Sequence, residues 1–99
     1  LIKFKGCQVA PAELEANLVT HPQITDAAVI GLPDDEAGEL PVAFVVCAGP
    51  APSVEEIQAH MAKTLSKYKL VQKVNYVDEI PKSASGKILR RVLKAQATA

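Results

Sequence analysis

The sequence contains no tryptophan, only two cysteines and few aromatic residues, and its formal net charge is zero. Cys7 and Cys47 are far apart in sequence, so they do not form the disulfide framework of a small secreted domain. The longest apolar run, residues 41 to 48, is too short to span a bilayer. The first residues, LIKFKGCQ, also lack the apolar core of a signal peptide. We therefore expect a soluble, cytoplasmic protein with no membrane span.

The chain length indicates a single folding unit. Its 99 residues are enough for one domain and too few for two. An apolar fraction of 48% is sufficient for a hydrophobic core without disulfides. We predict one domain over residues 1–99.

The zero net charge conceals a segregation of charge along the chain. Residues 10 to 66 contain nine acidic residues and one base, Lys63. Residues 67 to 94 contain two acids and eight bases: Lys67, Lys69, Lys73, Lys82, Lys87, Arg90, Arg91 and Lys94. The C-terminal third could therefore meet anions, provided that the fold does not place the acids beside these bases.

The N-terminal part is predicted to contain a strand pair and a helix. Residues 1–9 alternate between apolar and polar around Gly6, which indicates a short strand pair or a strand bent at the glycine. Pro11 suits the first turn of a helix, where its missing N–H would be unpaired in any case. This helix is predicted to run to about His21 and to end at Pro22.

Two strongly apolar segments follow. Residues 24–32 are predicted to form a strand that is covered on both faces or faces a helix, and VAFVVCA, residues 42–48, a second strand. Between them GLPDDEAGELP, residues 31–41, is rich in glycine, proline and aspartate and is predicted to be a connection. An antiparallel pair is the simplest arrangement.

The C-terminal half begins with a helix start signal. Ser53 followed by Glu56 forms a capping box, in which each side chain accepts a hydrogen bond from the other residue's amide. The helix after it has an apolar stripe that is expected to belong to the core: Val54, Ile57, Met61 and Leu65.

Residues 73–77 are predicted to form a further strand, and residues 89–96 a terminal helix with Leu89, Val92 and Leu93 packed inward. The predicted fold class is α+β, with a small antiparallel or mixed sheet and about three helices on its faces.

The stretch PKSASGKIL, residues 81–89, places Lys87 after small and polar residues and just before an apolar helical pattern. Ser85 and Gly86 are expected to make this loop pliable. A lysine at a helix start is disfavoured by the dipole, but free amides and the ammonium could together bind an anion. The stretch is not a nucleotide P-loop, since Pro81 replaces the first glycine and Ile88 the hydroxyl residue. A solvated lysine and an anion-binding lysine both remain open here.

Other polar residues are expected to have no catalytic or metal-binding role. His21 and His60 lack the spacing of a ligand set, and the cluster Asp34, Asp35 and Glu36 lacks that of a calcium loop. No metal site is predicted. The basic residues of the terminal helix suggest an alternative function, a stand-alone module that binds nucleic acid or an acidic partner. No aromatic residues are interleaved with these bases, so we expect no nucleic-acid binding.

Three separated strings resemble one known family. IKFKGCQVAPAELE, GLPDDEAGELPVAFVV and VDEIPKSASGKILRR are similar to the C-terminal domain of adenylate-forming enzymes, in the branch of 4-coumarate:CoA ligases, acyl-CoA synthetases and firefly luciferase. The resemblance covers essentially all 99 residues. It implies a small mobile lid, whose partner is a large N-terminal domain absent from this sequence.

The resemblance implies a ligase that uses ATP, a carboxylic acid and CoA, with Mg²⁺ bound by the N-terminal domain and AMP carried in the intermediate. Lys87 matches the lysine that steadies acyl-adenylate formation. After rotation of the lid, Lys3, Gly6 and Gln8 match positions that line the CoA tunnel. The isolated fragment is expected to be inactive.

One departure from the family concerns the acceptor, and by the resemblance the family's hinge residue and its Asp-Arg pair would precede residue 1. Cys7 stands where many relatives have an aromatic residue, so the acceptor could be CoA, oxygen or a carrier protein. The sequence ends in ATA rather than the peroxisomal signal S-K-L. A peroxisomal location would therefore require residues beyond this end.

Overall fold

A computed structural model of the chain describes residues 1–98, which form three α-helices and one five-stranded sheet. The strands are β1 (Ile2–Phe4), β2 (Cys7–Val9), β3 (Ile24–Asp34), β4 (Gly38–Cys47) and β5 (Lys73–Tyr76). The helices are α1 (Pro11–Leu18), α2 (Val54–Ala62) and α3 (Arg90–Thr98), with a short 3₁₀ turn at Lys67–Lys69.

The sheet is mixed. The strand order is β2-β1-β4-β3, so β2 and β3 lie at its two edges. The pairs β1–β2, β1–β4 and β3–β4 are antiparallel, whereas β5 runs parallel to β4 beside residues 42–45. The predicted α+β class, the N-terminal strand pair and the antiparallel β3–β4 pair are all confirmed.

The prediction that residues 31–41 form a connection is wrong for most of this segment. β3 continues to Asp34 and β4 starts at Gly38, with Gly31 opposite Pro41 and Pro33 opposite Glu39. The turn is short because the Asp34 carboxylate accepts hydrogen bonds from the amides of residues 36 and 37 at 3.2 and 2.9 Å. Pro33 is tolerated because it lies in an edge strand.

Each face of the sheet carries its own apolar cluster. In β3, Ala27 and Val29 point to the face covered by α1 and α2, while Ala28 and Ile30 point to the face covered by α3. The sheet is therefore the middle of three layers, and the near-continuous apolar run of β3 is explained by burial on both sides, as predicted.

Both hydrogen bonds of the capping box that starts α2 are present, at 3.1 Å each. The hydrogen bond from the Ser53 amide lowers the pKa of the Glu56 carboxyl, so the cap is strongest when this group is ionised. Of the predicted inward stripe, Ile57 and Met61 are fully buried, whereas Val54 is half-buried and Leu65 follows the end of α2 and packs, partly buried, against the same cluster. α1 ends at Leu18, earlier than predicted, because the chain continues in a turn toward Pro22.

The prediction that three apolar residues of the last helix point inward is correct only for Leu93. Leu93 is fully buried, whereas Leu89 and Val92 are 37% and 40% exposed. Leu89 precedes the helix, since α3 begins at Arg90. Val92 is one position from Leu93, about 100° around the helix axis, and so faces away from the sheet.

The packing of α3 predicts a clear contrast between two neighbouring truncations. Leu93→Ala removes the fully buried anchor of the helix and should lower the free energy of unfolding by about 3 kcal/mol. Val92→Ala should change it by less than about 0.5 kcal/mol, because this side chain is exposed. Urea unfolding followed by circular dichroism measures both. Equal losses would contradict the orientation of α3.

Candidate functional site

Residues 81–89 form a short hairpin, called here the lysine hairpin. Lys82 and Ile88 face each other in an antiparallel bridge, and the Leu89 amide donates to the Pro81 carbonyl at 2.9 Å. Ile88 is partly buried against the cluster beneath α3. The base of the hairpin is therefore fixed by both backbone pairing and apolar packing.

The tip of the hairpin is closed by hydrogen bonds. The Ser83 amide donates to the Lys87 carbonyl at 2.9 Å, and the Gly86 amide donates to the Ser83 carbonyl at 2.9 Å. The hydroxyls of Ser83 and Ser85 lie 2.9 Å apart. Gly86 adopts φ +87°, a left-handed conformation that glycine enters without strain.

Lys87 lies three residues before α3 and not in the first turn of the helix. Its amide donates to the Ser83 hydroxyl at 3.2 Å. The residue is exposed. Among residues 1–98, no carboxylate lies within ion-pair distance of the Lys87 amine.

Three other bases of the C-terminal third do have acidic partners. Lys69 pairs with Glu13 at 2.9 Å, Lys82 with Asp26 at 2.7 Å, and Arg90 with Glu15 at 2.8 Å. In each pair the acid comes from the acidic segment of the sequence. The fold thus partly cancels the segregation of charge, and Lys87 keeps an exposed cation that is not neutralised by these pairs.

One of these ion pairs connects the lysine hairpin to β3, and a second connects the residue just after it to α1. Lys82, in its first leg, reaches Asp26, and Arg90, just after its second leg, reaches Glu15. The Arg90 Nε also donates to the Val29 carbonyl at 3.3 Å, and the Val29 amide donates to Glu15 at 2.8 Å.

The sequence interpretation missed the role of Glu15. A usable signal existed, because Glu15 is adjacent to Leu14 and three residues from Leu18, on the inward face of α1. A carboxylate placed on an apolar stripe predicts a buried partner for it.

The other predicted site residues meet on the hairpin formed by β1, β2 and residues 5–6, called here the N-terminal hairpin. Lys3 lies opposite Gln8, and both are exposed. The turn residues Lys5 and Gly6 have φ values of 51° and 80°. A Cβ on Gly6 would find no atom within 4 Å, so the backbone there can be approached from outside.

An open depression of about 460 Å³ lies beside this turn, lined by Phe4, Lys5, Lys67, Tyr68 and Gln72. It combines two lysines with an aromatic ring. The N-terminal hairpin includes the β2 edge of the sheet, whereas the lysine hairpin is bound to the β3 edge. The predicted site residues therefore form two separate groups.

The structure brings His21 and His60 together, although their spacing in the sequence did not predict a contact. Their rings are 5.1 Å apart in an edge-to-face arrangement, and the His60 Nε2 lies 2.8 Å from the Thr20 hydroxyl. Within the described residues, no three potential ligands cluster as a metal site would require. Asp34 is used in closing the β3–β4 turn.

None of the helices found in residues 1–98 is long and apolar enough to cross a membrane.

Residues 13–87 match the family model of the AMP-binding enzyme C-terminal domain. A 4-coumarate–CoA ligase-like 9 from Oryza sativa subsp. japonica is 59% identical over 95 residues, which are 95% of this chain and 17% of that protein. A 4-coumarate–CoA ligase-like 1 from Arabidopsis thaliana is 57% identical over 95 residues, 95% of this chain and 18% of that protein.

Solved structures share the same fold. A Mycobacterium tuberculosis fatty acyl CoA synthetase superposes with a TM-score of 0.91 and 39% identity, covering 98% of this chain and 20% of that one. An amide bond synthetase from Marinactinospora thermotolerans has a TM-score of 0.90 and 30% identity, covering 96% of this chain and 19% of that one.

The positive φ of Gly86 predicts how a side chain added at this position changes the free energy of unfolding. Since a Cβ there would meet no atom within 4 Å, Gly86→Ala should act only through its positive φ and lower the free energy of unfolding by about 1 kcal/mol. Gly86→Asn should cost less, because asparagine tolerates this conformation. Thermal unfolding compares the two variants. A smaller loss for alanine than for asparagine would contradict the assigned backbone geometry.

Proposed function

The chain belongs to the family of AMP-binding enzyme C-terminal domains, and from this premise we propose that it is the lid domain of an ATP-dependent carboxylate–CoA ligase. The chain spans only 17% of the rice relative and 18% of the Arabidopsis relative. The reaction, the substrates and the N-terminal partner domain of the whole protein are therefore all parts of the proposal.

One observation carries the proposal: Lys87 presents a cation, free of any carboxylate within residues 1–98, from a hairpin whose base is fixed to the sheet. In the first half-reaction, a carboxylate oxygen attacks the α-phosphorus of ATP. The new O–P bond forms while the bond to pyrophosphate breaks, which yields the acyl-adenylate. An amine that faces outward without an internal partner can enter such a site.

Charge stabilisation is the proposed role of Lys87. The attacking carboxylate and the α-phosphate are both anionic and repel each other as they approach. A cation about 4 Å from each anion is worth about 4 kcal/mol per pair at an effective dielectric constant of about 20. That energy corresponds to several orders of magnitude in rate. The lysine thus acts by position and charge, with no proton transfer required of it.

The N-terminal hairpin is proposed to serve the second half-reaction. After the domain rotates, the CoA thiol attacks the acyl carbonyl, the thioester forms and AMP leaves. Lys3 and Gln8 would line the path of the pantetheine, and Gly6 would allow it to pass close to the backbone. The neighbouring depression, with Lys5, Lys67 and Tyr68, suits a phosphate-bearing nucleotide. The N-terminal hairpin and the lysine hairpin lie at different edges of the sheet. This separation supports the proposal that they act in different half-reactions.

The acceptor is proposed to be CoA, because the curated relatives described above are named as 4-coumarate–CoA ligases. The same fold occurs in an amide bond synthetase, so the fold alone does not determine the acceptor. Mg²⁺ is proposed to be held with ATP by the N-terminal domain. A cytoplasmic location is proposed from the sequence.

The alternative function, nucleic-acid binding by the basic end of the chain, has no support from the family match or from these relatives. Arg90 in particular is engaged by Glu15 inside the domain.

In the full-length ligase that contains this chain, Lys87→Ala should lower the rate of acyl-adenylate formation by about 10²- to 10³-fold, because the bridging charge is lost. Thioester formation from supplied acyl-adenylate should change less than about twofold. ATP–pyrophosphate exchange and a thiol-release assay measure the two steps. Lys63→Ala is a matched control on an exposed lysine elsewhere. Equal losses in both half-reactions would refute the assignment.

Substitutions on the N-terminal hairpin should impair thioester formation more than acyl-adenylate formation, the opposite of Lys87→Ala. Lys3→Ala and Gln8→Ala should slow thioester formation from supplied acyl-adenylate by about tenfold or more, because the truncated side chains no longer contact the CoA path. Pyrophosphate exchange should remain nearly unchanged in both variants. Both positions are exposed, so neither change should unfold the domain. An unchanged rate of thioester formation in both variants would remove the hairpin from this step.

A further inference from the structure

We propose that Arg90 is a positioning residue for Lys87, acting through its contacts with Glu15 and the Val29 backbone. The inference rests on the proposed role of Lys87 in adenylate formation. It adds that the reach of the lysine depends on a three-part clamp, defined as Glu15, Val29 and Arg90, which joins α1, β3 and α3.

The clamp satisfies backbone groups at an open sheet edge. β3 ends the strand order, so its outer backbone groups have no partner strand within residues 1–98. At Val29 the amide donates to a Glu15 carboxylate oxygen at 2.8 Å, and the carbonyl accepts from the Arg90 Nε at 3.3 Å. One Arg90 terminal nitrogen lies 2.8 Å from both oxygens of Glu15. Each member of the clamp is therefore bonded to the other two.

The guanidinium geometry matters because two different acceptors are used at once. Arg90 directs one nitrogen to a carboxylate and another to a carbonyl, which its planar fork allows and a lysine ammonium does not reproduce. The Glu15 side chain is only 11% exposed. Water therefore screens its attraction to the arginine less than at an exposed pair.

The clamp controls the second leg of the lysine hairpin. Arg90 follows Lys87 by three residues, and Ile88, one of the two residues between them, is partly buried against the sheet. The first leg is held by the Lys82–Asp26 pair at 2.7 Å. Asp26 and Val29 are three residues apart on one strand, about 10 Å at 3.3 Å per residue. Both legs of the hairpin are thus tied to the same edge of β3.

Loss of the clamp should affect rate more than folding. The Arg90 side chain is 42% exposed, so its ion pair makes a modest contribution to stability. By contrast, displacing a charge-stabilising group by about 1 Å can cost about 10²-fold in rate. A residue that only stabilised the domain would impair both half-reactions to a similar extent.

The first experiment uses the full-length ligase with Arg90→Met and Arg90→Lys. Pyrophosphate exchange should fall by about 10- to 100-fold in Arg90→Met and by a smaller factor in Arg90→Lys, which keeps the charge. Thioester formation from supplied acyl-adenylate should stay within about twofold. Arg91→Met is the control, because Arg91 is exposed and makes no ion pair within the described residues. Equal loss in both half-reactions would overturn the inference.

A double-mutant cycle separates positioning from an independent effect. In a Lys87→Ala background, Arg90→Met should cause no further loss of pyrophosphate exchange, because the group that it positions is gone. A full additive loss would overturn the inference. If Lys87→Ala itself leaves exchange unchanged, the proposed function fails. If Lys87→Ala lowers exchange while Arg90→Met does not, only the present inference fails.

A readout independent of activity is hydrogen exchange measured by mass spectrometry on the same full-length variants. The amides of Ser83 and Gly86 are bonded within the hairpin, so peptides covering residues 82–89 should exchange faster in Arg90→Met, while peptides from β4 remain protected. Unchanged exchange in residues 82–89 would overturn the inference. If Arg90→Met does not fold, Glu15→Gln gives the same test with a neutral acceptor, and Glu13→Gln on the same helix is its control.

Discussion

Within residues 1–98 the outer edge of β3 has no partner strand, and contacts from two layers of the domain meet there. This strand is buried on both faces, so its edge lies between the layer of α1 and α2 and the layer of α3. Unsatisfied backbone groups at such an edge would be costly and would favour pairing with other chains. Glu15 from one layer and Arg90 from the other satisfy them at Val29. The same contacts determine where the chain enters α3, and hence where the residues just before it lie.

The separation of the two candidate groups follows from the same layered packing. Helices cover both faces of the sheet, so exposed polar side chains suited to ligands are left to hairpins at its edges. The N-terminal hairpin buries Ile2, Phe4 and Val9 and turns Lys3 and Gln8 outward, as the alternation of a strand requires. The lysine hairpin buries Ile88 in part and extends Lys87 into solvent. One small domain thereby offers two different surfaces to a partner.

The sequence predicted what depends on local patterns. The capping box of Ser53 and Glu56, the buried stripe of α2 and the doubly covered β3 all follow from spacing over a few residues. The clamp could not be predicted in this way, because Glu15 and Arg90 are 75 residues apart and meet only once the layers are assembled. The hairpin at Lys87 was missed for a similar reason: its strands contain serine and alanine, and a single bridge with side-chain hydrogen bonds defines it. The inward side of α3 was misjudged because, of Leu89, Val92 and Leu93, only Leu93 is buried.

The chemical difference between the two cations supports a division of roles between them. Arg90 has a planar group that bonds two acceptors in fixed directions, and the partly buried carboxylate of Glu15 holds it in place. Such a group suits a permanent contact, since little further ordering is needed to form its bonds. Lys87 carries a compact charge on a flexible four-carbon stem, with no acidic partner within the described part of the chain. This freedom suits the role proposed for Lys87, in which its charge enters an anionic site in one step and leaves it before the next. A lysine at position 90 could not reproduce the paired bonds to the Val29 carbonyl and the Glu15 carboxylate. An arginine at position 87 would bring a planar group whose hydrogen bonds are more directional than the proposed role of Lys87 requires.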